Sequence, residues 1–171
     1  MRLEEPGELP IRPTLDRVRE AVFSMLTTRI EGARFLDLYA GTGANGIEAL
    51  SRGAASATFA DSLPKVSALI RRNLAKTRVH ERARVLLLTL PEEIHRAIDP
   101  TGPYDVVYAD PPHVFHDYEA LLAGLCTPGL LADGAWILLE HPAAVNTPES
   151  VQGFTRIRQR QYGRTMLSVY S

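Results

Sequence analysis

Of 171 residues only one, Cys126, is a cysteine. A lone thiol excludes an internal disulfide and leaves no cysteine cluster for zinc, which points to a reducing, cytoplasmic setting. Long apolar runs are missing as well. No stretch is long enough to span a bilayer, and the start of the chain, with Glu4, Glu5 and Glu8, lacks the basic-then-apolar order of a signal peptide. Nor is there an excess of basic charge, the formal net charge being -1. That argues against a protein that grips naked nucleic acid through a large phosphate footprint, because such binding is driven by cationic side chains displacing counterions. A nucleic-acid enzyme with this charge needs a local basic patch or a structured partner. Internal repeats, low-complexity segments and interdomain linkers are also absent. What is left is an ordinary globular composition, 45% hydrophobic and 23% charged, with length enough for one core.

Residues 1–13 are rich in Pro, Gly and Glu and read as an extended arm; residues 14–171 read as a single domain. Pro13 and Thr14 are placed to open a helix, with Thr14 as N-cap and Asp16 in the first turn. Leu15, Val18, Val22, Met25 and Leu26 recur at helical spacing and predict one buried face. Short apolar runs then alternate with helical segments. Strands are predicted at Phe35–Tyr39, Ala57–Ala60, Val85–Leu88, Tyr104–Ala109 and Ala135–Glu140, and helices at Gly43–Leu50, Val66–Leu74, Glu92–Ile98 and Tyr118–Leu125. This order predicts an α/β fold with a doubly wound, mostly parallel sheet. Phe154–Gln161 and Thr165–Tyr170, joined at Tyr162, Gly163 and Arg164, predict a closing antiparallel hairpin.

Two motifs carry chemistry. The first runs from Leu36 to Gly46 in the order of strand, tight glycine turn and helix. Gly41 and Gly43 allow a sharp turn and close backbone approach to a ligand, and Asp61, ending the next strand, is placed to accept from a ribose diol. By themselves the glycines fit a dinucleotide, or a structural turn with no ligand. Asp37 shifts the balance. A carboxylate just before the loop would repel a pyrophosphate, whereas S-adenosylmethionine carries positive charge on its sulfonium and amino groups, so adenosylmethionine is favoured.

The second motif, Asp110-Pro111-Pro112-His113, ends a predicted strand, at the sheet edge where open α/β folds bind ligands. Consecutive prolines remove two amide donors and leave carbonyl acceptors. The amino group of a base is a weak nucleophile because its lone pair is delocalised. Hydrogen bonds from its two N–H groups to the Asp110 carboxylate and the Pro111 carbonyl favour the more pyramidal, nucleophilic form. The lone pair can then face a sulfonium methyl, and Asp110 can take the released proton. The bland alternative is a turn that merely stops a strand.

Taken together these residues resemble the bacterial 16S rRNA guanine-N2 methyltransferases, from about Arg12 to the C-terminus. Arg12-Pro-Thr with Arg17-Val-Arg-Glu-Ala-Val-Phe is similar to that family's N-terminal signature. Phe35-Leu-Asp-Leu-Tyr-Ala-Gly-Thr-Gly and Gly46-Ile-Glu-Ala-Leu-Ser-Arg-Gly-Ala are similar to its cofactor loop and following helix. Asp110-Pro-Pro resembles its catalytic turn, and Tyr162-Gly-Arg-Thr its closing hairpin. The resemblance implies a class I methyltransferase with a Rossmann-like, seven-stranded sheet and S-adenosyl-L-methionine as cofactor. The implied partner is 16S rRNA within small-subunit particles, with no membrane and no metal. It places Asp37, Gly41, Thr42, Gly43, Gly46 and Asp61 at the cofactor, with Thr89 and Leu90 near the adenine. Asp110, Pro111, Pro112 and His113 are placed at the reacting amine, and Arg12, Thr14, His113 and Phe115 at the substrate.

Departures from the family pattern are specific. Only Met1 to Ile11 precedes Arg12, where the family carries a basic, glycine-containing hairpin thought to hold the rRNA; the chain either grips its substrate differently or begins short of that start. His113 stands where Tyr or Phe is usual, and a ring there stacks on an extruded base; Phe115 or Tyr118 are the nearest substitutes. Thr89 replaces an expected acid, and Asn45 an apolar residue. Other readings stay open: an adenine-N6 or other amino-methylating enzyme, a binding module that keeps the pocket, and an NAD-dependent oxidoreductase, which Asp37 disfavours. His95, His116 and His141 have no metal-ligand spacing. Arg71 and Arg72 read as a solvated helix face; the stripe of Arg156, Arg158 and Arg160 shares one strand face and fits phosphate contact or edge protection, the bland reading being favoured. Trp136 and Cys126 read as core.

Overall fold

A computed structural model describes Leu3, Glu4 and residues 16–171. Arg12, Pro13, Thr14 and Leu15 lie outside the described residues. The first described element is α1 (Asp16–Met25), which buries Val18, Val22 and Phe23. Then follow β1 (Arg34–Leu38), α2 (Ala44–Ser51), β2 (Ser56–Asp61), α3 (Pro64–Ala75), β3 (Ala83–Leu87), β4 (Tyr104–Ala109) and α4 (Tyr118–Leu125). The chain closes with β5 (Leu131–Pro142), β6 (Ser150–Val151), β7 (Phe154–Tyr162) and β8 (Thr165–Tyr170). The strands lie in the order β3-β2-β1-β4-β5-β8-β7-β6. The first five are parallel, while β8 and β7 are antiparallel. This is the Rossmann-like, doubly wound sheet with its terminal hairpin. The seven expected strands gain an eighth, the two-residue β6, which pairs with Phe154 and Thr155.

Each face of the sheet carries its own apolar cluster. Phe35, Phe59, Val106, Leu138 and Leu167 face α1, α2 and α3; Leu36, Leu38, Val107, Ile137 and Leu139 face α4. Strands buried on both faces read as unbroken apolar runs, which is why these were found so readily. One helix was not. Residues 92–98 form turns and a single 3₁₀ turn, Ile94–Ala97, in place of an α-helix. The segment is hemmed by Pro91 and by Asp99-Pro100, and the Glu93 carboxylate accepts from Thr89 N at 2.7 Å, too little chain for an α-helical nucleus. Trp136 and Cys126 are half-buried instead of core. The Arg29 guanidinium covers part of the indole, 4.2 Å from the ring centroid. Among the described residues no helix is long and apolar enough to cross a membrane.

Candidate active site

Sheet order places the site. The chain runs from β1 outward to β2 and β3, then returns to lay β4 on the other side of β1. The carboxyl ends of β1 and β4 therefore diverge around a crevice, the switch point where such sheets bind ligands. Both sequence motifs open there. Asp110 N lies 3.5 Å from the Leu38 carbonyl, so the Asp-Pro-Pro turn starts beside the glycine loop.

The loop after β1 is tightly specified. Tyr39, Gly41 and Gly43 all take left-handed backbone, with φ of 56°, 53° and 79°. Such conformations cost a residue with a Cβ, and Tyr39 bears that cost at the crevice. Asp61 holds the loop from the neighbouring strand, accepting from Gly41 N at 3.3 Å and from Leu63 N at 3.1 Å. Burial raises its pKa against the lowering effect of these bonds. Asp37 is 1% exposed, and one carboxylate oxygen accepts from Gly46 N at 2.9 Å. Its other oxygen, Oδ1, is buried with no hydrogen-bond partner. Desolvation pushes the Asp37 pKa up to about 8, with the nearby Asp61 charge adding to it. Gly46 has a packing role: a Cβ there would sit 2.3 Å from the Phe59 ring, so the missing side chain lets α2 lie against β2. Leu88 N donates to the Asp61 carbonyl at 2.9 Å, bringing Thr89 and Leu90 to the same edge.

Asn73 had no sequence signal. It is fully buried on α3, donates from Nδ2 to the Thr42 carbonyl at 2.9 Å, and accepts from Glu4 N at 2.7 Å. One side chain thus ties the glycine loop to the N-terminal arm, which Arg72 and Lys76 also hold through Glu4. The bland reading of Arg72 stands, as it does for Arg71, which donates to the Val85 carbonyl. A second buried pair also lies outside the motifs. The Tyr108 hydroxyl donates to Glu140 Oε2 at 2.7 Å, and Tyr108 is paired with Asp37 across β1 and β4. Asp37, Tyr108 and Glu140 form a polar row inside an apolar face. Only spatial pairing reveals it.

The turn after β4 is more open. Pro111 is buried, while Pro112, His113 and Val114 are exposed, Val114 to 77%. Phe115 N donates to the Pro112 carbonyl at 2.8 Å and turns the chain back. Phe115 lies 5.8 Å from the Tyr39 ring and meets the Tyr118 ring edge-on at 5.1 Å. The two loops are therefore joined by an aromatic row. The hydroxyls of Tyr39 and Tyr118 are buried without partners, and the Tyr118 pKa is raised by burial and then by the Asp110 charge. His141 is buried and structural: Nε2 lies 2.8 Å from Ser168 Oγ, and burial lowers its pKa. Among the described residues no group of three His, Cys, Asp or Glu is placed to hold a metal.

These residues fit adenosylmethionine. The orphaned Asp37 oxygen beneath the glycine loop suits a cationic ligand, and Asp61 ends β2 beside that loop.

A family model described as Conserved hypothetical protein 95 matches residues 2–171. A Bacillus subtilis protein provisionally named as an rRNA methyltransferase is 33% identical over 159 residues, 93% of this chain and 86% of that protein. The ribosomal RNA small subunit methyltransferase D of Escherichia coli is 33% identical over 169 residues, 99% of this chain and 83% of that protein. A solved Escherichia coli structure, provisionally described as a methyltransferase, superposes with a TM-score of 0.77 at 34% identity. That superposition covers 94% of this chain and 86% of the other.

Proposed function

The chain belongs to the Conserved hypothetical protein 95 family, which these relatives identify with the bacterial 16S rRNA methyltransferases, and we propose that it methylates the N2 amino group of a guanine in 16S rRNA. The methyl donor is S-adenosyl-L-methionine and the substrate is rRNA within small-subunit particles, in the cytoplasm. One observation carries this reading: the Asp-Pro-Pro turn opens 3.5 Å from the end of β1, so an amine held by Asp110 lies beside the glycine loop.

S-adenosylmethionine, when bound, supplies an electrophilic methyl group on a sulfonium. Asp61 orients the nucleoside beside the glycine loop, and the Asp37 carboxylate lies beneath the loop as a counter-charge. Asp110 and the Pro111 carbonyl accept the two N–H groups of the base and turn its lone pair toward the crevice. Asp110 then takes the proton that the methylated nitrogen releases. His113 and Phe115 are the stacking surfaces for a base turned out of its helix. Arg12 and Thr14 are assigned to the substrate side.

Transfer of a labelled methyl group to assembled small subunits, protein-free 16S rRNA and DNA tests this, with digestion to identify the nucleoside. N2-methylguanosine in the ribosomal samples is the expected product. N6-methyladenosine would move the specificity to adenine. Binding of adenosylmethionine with no transfer to any of the three would overturn the enzymatic reading.

A further inference from the structure

The terminal hairpin separates charge in a way the rest of the chain does not. Residues 150–171 carry four arginines and no acid, +4 against a chain total of -1. Alternation along β7 predicts one stripe of Arg156, Arg158 and Arg160, but the strand breaks it. The register shifts between Arg156 and Arg158, and Arg156 turns to structure, donating to the Thr147 carbonyl at 2.8 Å and pairing with Glu149. Arg158 and Arg160 stay in register with Val169 and Leu167, and therefore share one sheet face. Both are exposed, as is Arg164 at the hairpin tip, and none of the three side chains makes an ion pair or hydrogen bond among the described residues. Elsewhere surface cations are mostly tied: Arg19, Arg52, Arg72, Lys76 and Arg96 all hold carboxylates. Arg158, Arg160 and Arg164 therefore put three uncompensated positive charges on one hairpin.

Their position relative to the chemistry follows from the register. Arg160 pairs with Leu167, Leu167 with Glu140, and the preceding Leu139 with Ala109, the residue before Asp110. Arg160 thus lies level with the catalytic turn, three strands away, roughly 14 Å by ordinary strand spacing. The turn of the hairpin rises past it on the same edge, where Ala143 N donates to the Arg164 carbonyl at 2.9 Å. Beyond Phe154 and Thr155, β7 has no strand on its outer side among the described residues, so this edge is open.

We infer that Arg158, Arg160 and Arg164 form a phosphate-binding surface that holds the RNA backbone flanking the target base. The inference rests on the RNA reading proposed above and gives it the local basic patch that a chain of net charge -1 requires. An edge strand also carries cations to prevent strand-to-strand association, but that role does not call for Arg164 beyond the strand.

The test uses the full chain with Arg158, Arg160 and Arg164 all changed to Gln, and an Arg78→Gln variant as a control for loss of an exposed charge elsewhere. Binding of protein-free 16S rRNA and of assembled subunits is measured across a salt series, alongside kcat and KM for methyl transfer. Melting temperature and adenosylmethionine affinity report on folding. The expected result is about tenfold weaker RNA binding, a salt slope shallower by about 2, and kcat at saturating RNA unchanged. Unchanged affinity and slope would overturn the inference. So would a loss confined to assembled subunits, which would assign the surface to an acidic protein partner, or wild-type protein that binds no RNA. Wild-type protein that binds RNA through these arginines yet transfers no methyl group would refute the proposed reaction and leave the binding surface standing.

Discussion

The loops after β1 and β4 leave adjacent strands at the same sheet edge, yet they are built by opposite rules. The first is buried and held from several directions: Asp61 fixes Gly41, Asp37 fixes Gly46, and Asn73 fixes Thr42. The second exposes Pro112, His113 and Val114, and the ring of Phe115 ties it to Tyr39. A small cofactor of constant shape rewards a site formed before binding, because ordering costs are then met in folding. A base delivered by a large RNA needs an open face. The contrast teaches that substitutions in the first loop should act through cofactor affinity and stability, and those in the second through turnover and RNA affinity.

Asp110→Asn breaks the comparison hardest. It keeps size and polarity but removes the charge that orients the amine and takes the proton. We expect kcat to fall by about a thousandfold, roughly 4 kcal/mol of barrier, with adenosylmethionine affinity unchanged. Isothermal titration beside single-turnover transfer separates the two quantities. A variant with normal turnover would remove Asp110 from the mechanism.

Gly46→Ala tests the rigid side. The added methyl meets the fully buried Phe59 ring at 2.3 Å. Overpacking of this kind costs about 1–3 kcal/mol, and a melting curve should shift down by several degrees. Unchanged melting with weaker cofactor binding would show instead that Gly46 acts on the ligand directly.

How much of this the sequence reveals depends on the range over which each interaction acts. The parallel strands were legible because burial on two faces leaves continuous apolar runs, and both loops because glycine and proline mark backbone that other residues resist. Gly46 is legible as part of the glycine motif, but its packing against Phe59, thirteen positions on, needs the fold. Asn73 and Thr42 are 31 positions apart, and Tyr108 and Glu140 are 32, so no local pattern announces either pair. Arg158 and Arg160 are legible as a stripe, but alternation alone does not decide between phosphate contact and edge protection. What distinguishes them is that they cluster with Arg164 on one hairpin without a carboxylate partner, and the register shift that removes Arg156 is invisible in the alternation.

A smaller effect comes from the protonation of Asp37. Its folded pKa of about 8 lies above the 3.8 of an unfolded aspartate, so the folded state holds the extra proton between those values. Unfolding then releases a proton, and the stability this group contributes falls as pH rises from about 4 to about 8. The unliganded protein should therefore melt lower at pH 8.5 than at pH 6, and Asp37→Asn should flatten that slope. A cationic ligand favours the carboxylate, so adenosylmethionine affinity should rise over the same interval. Equal slopes for wild type and Asp37→Asn would show that other groups control both trends.

The smallest expected change sharpens the open side. His113 is exposed at the turn where a ring stacks on an extruded base, and imidazole offers less area than phenol or benzene. Stacking on an aromatic side chain is worth about 1–3 kcal/mol per base, and imidazole already supplies part of it, so His113→Tyr should lower the KM for RNA by roughly two- to fivefold. The KM for adenosylmethionine should not move, since the buried loop is formed independently of this side chain. A rise in the RNA KM would mean that His113 contributes its hydrogen-bonding nitrogens instead of its ring face. Phe115, already packed between Tyr39 and Tyr118, would then be the side chain left to stack on the base.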